Sequence, residues 1–358
     1  MRILLDGPLT AKPRSGIERY FHMLVTHYPQ EAEVFCSIKP FSGGNIVGGH
    51  RVGSPPLPLF KPRKLSGFLN TMFWWRNSFD VVHWMYYGPS QIANRLHSKG
   101  VPYVLTIHDL IHEKLGAPKG LLDRSARQKS YDQASAIFCV SQNTQNDLHE
   151  EYDVDPNKVH VVHHGCSIQP DSETGESLQN KERYFLYVGP RSGYKNFSVL
   201  FPQLKSVLLN YPDVKLRIVG SPLNTEEKTQ LNEYGLNDMI IEEGRVDDAR
   251  LSKLYTGSLA LLHPSVHEGF GLPLVEAMTC GTVPIATYAT CVPEVLGEAG
   301  IHVEPSHINY GFQDAMLRIL SDPEYRRQKA QDSIRRSKDF RWESTASKTL
   351  DVYKSVLN

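Results

Sequence analysis

The chain lacks the features that would place it in several large classes. Its five cysteines, Cys36, Cys139, Cys166, Cys280 and Cys291, are scattered and odd in number. They form neither a disulfide framework nor metal-type spacing, so reduced, mostly buried thiols and no metal site are expected. No apolar run approaches the roughly 20 residues that a membrane-spanning helix needs. The amino terminus begins directly as a strand, Arg2 to Asp6, without a charged segment leading into an apolar leader, which predicts a cytoplasmic protein. Long basic runs and aromatic-basic repeats are missing, and nucleic acid is not an expected partner. The first strand is not followed by G-x-G-x-x-G. Asp6-Gly7-Pro8 occupies that turn, which argues against a dinucleotide-dependent oxidoreductase. No serine sits in a G-x-S-x-G elbow, and neither Ser141 nor any cysteine has a readable base partner, so hydrolase chemistry lacks a nucleophile.

The chain does carry balanced charge and a repeated pattern. Lys+Arg and Asp+Glu both number 39 across 358 residues, with 40% hydrophobic residues. Residues 1 to 170 hold 18 basic against 14 acidic side chains and residues 171 to 358 hold 21 against 25, a mild basic excess passing to a mild acidic one. This length is long for one core and suits two domains of about 170 residues each. Strand-like and helix-like segments alternate, the signature of α/β doubly wound sheets with helices on both faces. Strands are expected near 2–6, 32–37, 80–83, 101–106, 136–140 and 159–163, and helices near 16–28, 89–98, 120–133 and 142–152. Ser167 to Lys181 is polar and aperiodic and reads as an inter-domain linker. A second alternation follows, with strands near 184–189, 214–219, 239–242, 258–263, 283–287 and 300–303. Trp342 to Leu357 has helical periodicity, with Trp342, Ala346, Leu350, Tyr353 and Val356 on one stripe. Residues 38–66 read as an irregular loop on the acceptor side.

The richest chemistry lies between His267 and Met278. There Glu268 and Glu276 stand eight positions apart across a turn carrying Gly269 and Gly271, between a buried strand, Ser258 to Pro264, and a helix opened by Pro273. Glycines let backbone amides approach a ligand at a helix N-terminus, where a diphosphate docks. Glu268 in the loop is then placed beside a transferred group. Glu276, one turn into the helix and leaning back along it, can accept hydrogen bonds from ribose hydroxyls. The plain alternative is a turn with a capping carboxylate. A second group, Arg191 and Lys195, follows a hydrophobic strand ending at Gly189. Two fixed cations can stabilise the charge that develops on a leaving diphosphate, work otherwise done by a metal ion. A solvated loop is the other reading.

His108 and Asp109 follow the apolar strand Val104 to Ile107, where open parallel sheets place functional groups. His108 can bond a sugar hydroxyl or phosphate oxygen, or serve as a structural histidine, and Asp109 can cap the next helix. His163 and His164 read as hinge packing or cleft chemistry, and Glu18 and Arg19 as solvated helix residues or cleft contacts.

The segment E-G-F-G-L-P-L-V-E-A-M from Glu268 to Met278, the run Tyr187 to Asn196, Gly281 to Ile285 and Pro293-Glu294-Val295 resemble the retaining family 4 glycosyltransferases, the glycosyl transferases group 1. Ser15 to Phe21 and Thr106 to Asp109 extend the similarity into the first half. One departure is Ser15-Gly16, where many relatives carry two glycines. The resemblance implies a GT-B fold, two Rossmann-like domains facing a central cleft. Residues 1–170 form the acceptor-side domain, 171–340 the nucleotide-sugar-binding domain and 341–358 a helix crossing back to the first domain. It implies catalytic roles for His108, Arg191, Lys195 and Glu268. Donor contacts are expected from Gly16, Gly189, Arg191, Lys195, Gly269, Phe270, Gly271, Leu272 and Glu276. No Asp-x-Asp stands beside these positions, so no cofactor and no obligatory metal are expected.

The implied activity is retaining transfer of a hexosyl group from a nucleotide-diphospho sugar to a glycan or lipid-linked glycan acceptor. Surface polysaccharide synthesis is the implied setting, with a mannose-type GDP donor. A sugar-nucleotide epimerase on the same scaffold and a non-catalytic sugar-nucleotide-binding protein are the alternatives, the second disfavoured by retention of both Glu268 and Glu276. Lys61-Pro62-Arg63-Lys64 beside Phe68, Phe73, Trp74 and Trp75 offers either peripheral contact with the inner membrane surface or core aromatics below solvated charges.

Overall fold

The computed structural model describes residues 1–8, 16–38, 46–47, 50–53, 78–84, 94, 96–116, 123–170 and 182–358. The chain divides into two compact units, one formed by Met1–Gly165 with Trp342–Asn358 and the other by Cys166–Arg341.

In the first unit the strands are β1 (Arg2–Pro8), β2 (Glu33–Ile38), β3 (Ile46–Val47), β4 (His50–Gly53), β5 (Val81–Trp84), β6 (Tyr103–Ile107), β7 (Ala136–Cys139) and β8 (Val159–Val161). They form one sheet in the order β3-β4-β2-β1-β5-β6-β7-β8. All neighbours are parallel except β3, which runs antiparallel to β4. Strands β5, β6 and β7 are buried on both faces, the reason their sequences are mostly apolar, with His83 and Thr106 as buried polar exceptions. Helices α1 (Gly16–His27), α2 (Ile111–Leu115), α3 (Arg124–Gln133) and α4 (Gln142–Glu151) connect them. Helix α1 buries Tyr20, Phe21, Leu24 and Val25 at helical spacing. Asp123 caps α3 and Ser141 caps α4 through their side chains, so Ser141 has a structural task.

The terminal helix Trp342–Ser355 completes this unit's core. Trp342, Ala346, Leu350 and Tyr353 pack with Ile3, Phe21 and Val25. Gly165 admits it, since a Cβ there would lie 2.3 Å from the Trp342 backbone nitrogen. The Tyr353 hydroxyl lies 3.2 Å from that of Tyr28 and 2.5 Å from His83 Nδ1, while His83 Nε2 meets Thr106 Oγ1 at 2.7 Å.

The second unit holds β9 (Arg183–Val188), β10 (Val214–Val219), β11 (Ile240–Gly244), β12 (Leu261–His263), β13 (Pro284–Thr287) and β14 (Ile301–Val303). They form an all-parallel sheet in the order β11-β10-β9-β12-β13-β14. Its helices are α5 (Leu200–Leu208), α6 (Thr225–Glu233), α7 (Asp248–Thr256), α8 (Leu272–Thr279), α9 (Val292–Leu296), α10 (Gly311–Ser321) and α11 (Pro323–Ser337). Phe185, Phe197, Phe201 and Phe312 are fully buried between sheet and helices. The chain winds outward from β9 to β11 and then returns to lay β12 against the other side of β9. The switch point, where ligands of open parallel sheets bind, therefore lies between β9 and β12.

Four expectations need correction. Residues 38–66 are not uniformly irregular, because β4 extends the sheet beside β2 and carries β3, elements too short for periodicity to reveal. The linker does not begin at Ser167, since Ile168 is buried and the Gln169 carbonyl accepts the Ser252 hydroxyl at 2.6 Å. Helix α2 was not foreseen, five residues being below the length at which a 3.6-residue period shows. Pro273 is the second residue of α8, after Leu272. Residues 171–181, Ser15, most of the expected 89–98 helix and the basic-aromatic stretch at 61–75 lie outside the described residues. The cysteines whose side chains are described are free, with Cys139, Cys280 and Cys291 buried. No described helix is long and apolar enough to cross a membrane.

Candidate active site

The switch point of the second unit gathers loops from three neighbouring strands. After β9, a 3₁₀ turn at Gly193–Lys195 is tied to the segment after β12 by a bond from the Val266 amide to the Tyr194 carbonyl, 2.9 Å. This brings Lys195 Nζ to 2.6 Å from Glu268 Oε1. His263, the last residue of β12, puts Nε2 3.0 Å from the same oxygen, within ion-pair range but off the hydrogen-bonding axis. From the loop after β13, Thr290 Oγ1 accepts the Glu268 amide at 3.0 Å. Thr290 has φ of 48°, an unusual conformation for a β-branched residue. Lys195 and Glu268, 73 residues apart in the chain, are thus brought together, along with His263 and Thr290, which sequence reasoning missed. A strand-end histidine was a signal for the first; nothing local marks the second.

Burial alone would raise the Glu268 carboxyl. Contact with His263 and the positive charge of Lys195 outweigh it and bring the pKa down to about 2. Glu268 is therefore a fixed anion at neutral pH. Three residues on, Gly271 takes φ of 80° at the N-cap of α8, so only there does the turn require a glycine; Gly269 has no such φ. At the start of α8, Pro273 has no N–H and the Leu274 amide donates to the Gly271 carbonyl at 2.9 Å, which leaves the Leu272 N–H and the helix dipole to give this end its anion-attracting character. Phe270 is buried with its ring edge-on to Phe340, 5.7 Å between centroids. Glu276 is buried, and its Oε2 accepts the hydroxyl of the fully buried Tyr255 at 3.0 Å, a bond that fixes the carboxylate on the inner face of α8.

Arg191 is placed differently from Lys195. Its guanidinium grips Glu227 at 2.7 and 3.0 Å and donates to the carbonyls of Ser221 and Pro222, both at 2.8 Å. Its charge is neutralised and four donors are used, so in this structure it staples the loop after β9 to α6 and does not join Glu268. Gly189, at φ of 124°, closes the strand beside Gly220, where a Cβ would come within 2.7 Å of the Gly189 carbonyl oxygen.

In the first unit, His108 follows directly on β6 and packs edge-on to Tyr20 at 5.2 Å and to His164 at 5.8 Å. Burial lowers its pKa to about 4, so the ring is neutral near pH 7. Its Nε2 is enclosed without a hydrogen-bond partner among the described residues. Asp109 accepts the Ile111 amide at 3.3 Å, the capping task. His164 is buried against Tyr20 and Trp342, and the His163 carbonyl accepts the Thr345 hydroxyl at 2.8 Å, so this pair anchors the terminal helix. Gly16 begins α1, and no atom of the described residues lies within 4 Å of a would-be Cβ there. Among the described residues, no group of three or more His, Cys, Asp or Glu is placed to hold a metal ion.

Residues 169–336 match the family described as glycosyl transferases group 1, and residues 14–169 match glycosyltransferase family 4. The D-inositol 3-phosphate glycosyltransferase of Corynebacterium glutamicum is 24% identical, over 100% of this chain and 92% of that protein. The O-antigen chain mannosyltransferase B of Escherichia coli is 26% identical, over 77% of this chain and 75% of that protein. Among solved structures, HepE of Anabaena in complex with UDP and glucose superposes with a TM-score of 0.76 at 18% identity, covering 99% of this chain and 100% of that one. The sucrose-phosphate synthase of Thermosynechococcus elongatus superposes at 0.74 and 18% identity, over 99% and 98%. With both halves matched and the fold shared throughout, the chain belongs to the glycosyl transferases group 1, glycosyltransferases of the GT-B fold.

Proposed function

We propose that this glycosyltransferase acts with retention, taking a hexosyl group from a nucleotide-diphospho sugar held by the second unit and passing it to a glycan or lipid-linked glycan acceptor. The observation that carries the reading is the Lys195–Glu268 pair at the sheet's switch point, beside the N-terminus of α8. As the anomeric C–O bond breaks, its electron pair stays on the diphosphate, and Lys195 with the Leu272 amide and the positive end of α8 would meet that charge. This supply of fixed positive charge supports a reaction without an obligatory metal. Glu268, held ionised by His263 and Lys195, is too weakly basic to favour attack on the anomeric carbon and suits binding of sugar hydroxyls. The acceptor oxygen would then bond to the anomeric carbon on the face the diphosphate leaves, its proton passing to a phosphate oxygen. Neutral His108, with an unpartnered Nε2, suits a further contact to the donor. Glu276 suits the ribose hydroxyls, and Arg191 keeps the Lys195 loop in place.

For the donor, a mannose-type GDP sugar is favoured by relatives named as mannosyltransferases, including one from Mycolicibacterium hassiacum that is 27% identical. The test is a panel of nucleotide sugars read as nucleoside diphosphate release, without and then with glycan acceptors. Acceptor-dependent release from one donor, with the anomeric configuration kept in the product, is expected. Release from no donor with any acceptor, or an inverted product, would overturn the proposal.

A further inference from the structure

Unit 2 carries a second concavity at the opposite end of its sheet. Because the strands are parallel, the candidate active site occupies their carboxyl ends and this cavity their amino ends. It has a volume of about 500 Å³ and is walled by Arg183 at the start of β9, Leu259 and Val283 just before β12 and β13, Thr256 at the end of α7, and Arg326 and Arg327 on α11. That volume lies within the range of about 300 to 1,000 Å³ found for small-molecule sites.

The charges around it are uneven. Arg183 is paired with Asp213 at 2.7 Å, Arg327 with Glu324, and the lining carboxylate Glu182 with Arg217. Arg326 forms no ion pair among the described residues, and its side chain is only partly exposed. Burial, then the neighbouring charges of Arg183 and Arg327, depress its ionisation. The cation therefore stands where its surroundings oppose it. Arg326 and Arg327 also follow directly on the first turn of α11, the helix end that favours negative charge. An anion in the cavity would relieve the repulsion among these guanidinium groups and give Arg326 a partner.

We propose that this cavity is a second ligand site, taking a phosphate-bearing small molecule with its phosphate on Arg326 and Arg183 and its uncharged body on Leu259 and Val283. Guanidinium groups bind phosphate oxygens in a bidentate manner that suits this cluster. The site shares no residue with the donor region, so it does not depend on the reaction proposed above.

The test uses inorganic pyrophosphate as probe and calorimetry on the full chain, comparing wild type with Lys195→Ala, Arg326→Gln, Arg183→Gln combined with Arg326→Gln, and Thr256→Val. One binding event should persist in Lys195→Ala, weaken by about tenfold or more in Arg326→Gln, the effect of losing one charge-assisted partner, and vanish in the double variant. Thr256→Val, a change at a hydroxyl sealed from the cavity, should leave the event unchanged. Melting in phosphate-free buffer separates loss of binding from loss of fold, because removing Arg326 relieves repulsion and should not lower the melting temperature. Should Arg326→Gln melt lower, Arg183→Gln alone, which should also weaken the event, decides the matter. Pyrophosphate binding that disappears in Lys195→Ala, or that is identical in wild type and the arginine variants, would overturn the proposal.

Discussion

Replacing Lys195 with alanine removes a cation whose nitrogen lies 2.6 Å from Glu268 Oε1, between side chains only 15% and 11% exposed. At an effective dielectric of about 20, two unit charges at that separation attract by roughly 6 kcal/mol before any desolvation is counted. Most of that is offset by the cost of taking both groups out of water. His263 also remains 3.0 Å from the same oxygen, so Glu268 keeps a partner and stays ionised at neutral pH. The net loss of stability should be about 1 to 3 kcal/mol. Against a typical total of about 5 to 15 kcal/mol, the variant remains folded at 25 °C. Turnover should nevertheless fall by about 10² to 10³, the range for losing one preorganised group that stabilises developing charge. Because Glu268 is still an anion in the variant, such a fall would belong to the missing charge. The assay pairs nucleoside diphosphate release under saturating donor with thermal melting of the same sample. Near wild-type, donor-dependent turnover in a variant whose melting point has dropped would show that the pair is structural and that leaving-group stabilisation lies elsewhere.

Other outcomes follow from the same geometry. Activity should persist in excess EDTA; complete loss restored by magnesium or manganese would mean that Lys195 and the N-terminus of α8 do not suffice for the leaving diphosphate. Glu276→Ala should weaken binding of the bare nucleoside diphosphate by about 1 to 3 kcal/mol, whereas Glu268→Ala should leave that affinity nearly unchanged and depress transfer; calorimetry giving the reverse order would invert the donor along α8. Acidification should destabilise the first unit. Burial lowers His108 to about 4 and His83, further opposed by His108, to about 3, both from 6.5. Between these values the unfolded chain binds more protons than the folded one, so stability is full above about pH 6.5 and declines as pH falls towards 4. A melting temperature that stays flat from pH 7 to pH 4.5 would contradict this.

Much of the site was readable because its parts are local. Glu268, Gly271 and Glu276 belong to one turn and one helix, and a fixed spacing along a helix already places side chains relative to its N-terminus. The alternation of apolar runs and amphipathic segments likewise carried both doubly wound sheets, since strands buried on both faces are mostly apolar and admit a polar residue only where it is hydrogen-bonded, as His83 and Thr106 are. Short elements escaped: α2 and the β3–β4 pair contain too few residues for any period to stand out.

Chain sequence alone determined the glycine turn into α8, the two sheets and the apolar stripe of the terminal helix, because each follows from interactions between residues close in order. Tertiary structure decided which partners those residues meet. It set Arg191 against Glu227, 36 positions away, and so removed a cation that spacing had grouped with Lys195. It brought His263 and Thr290 to Glu268 by placing β9, β12 and β13 side by side, and it drew Arg183 and Arg326 around one cavity at the other end of the sheet. The physical reason is that electrostatic and hydrogen-bonding partners are chosen by distance in space, and in a parallel sheet that distance is set by strand order, which no local pattern records.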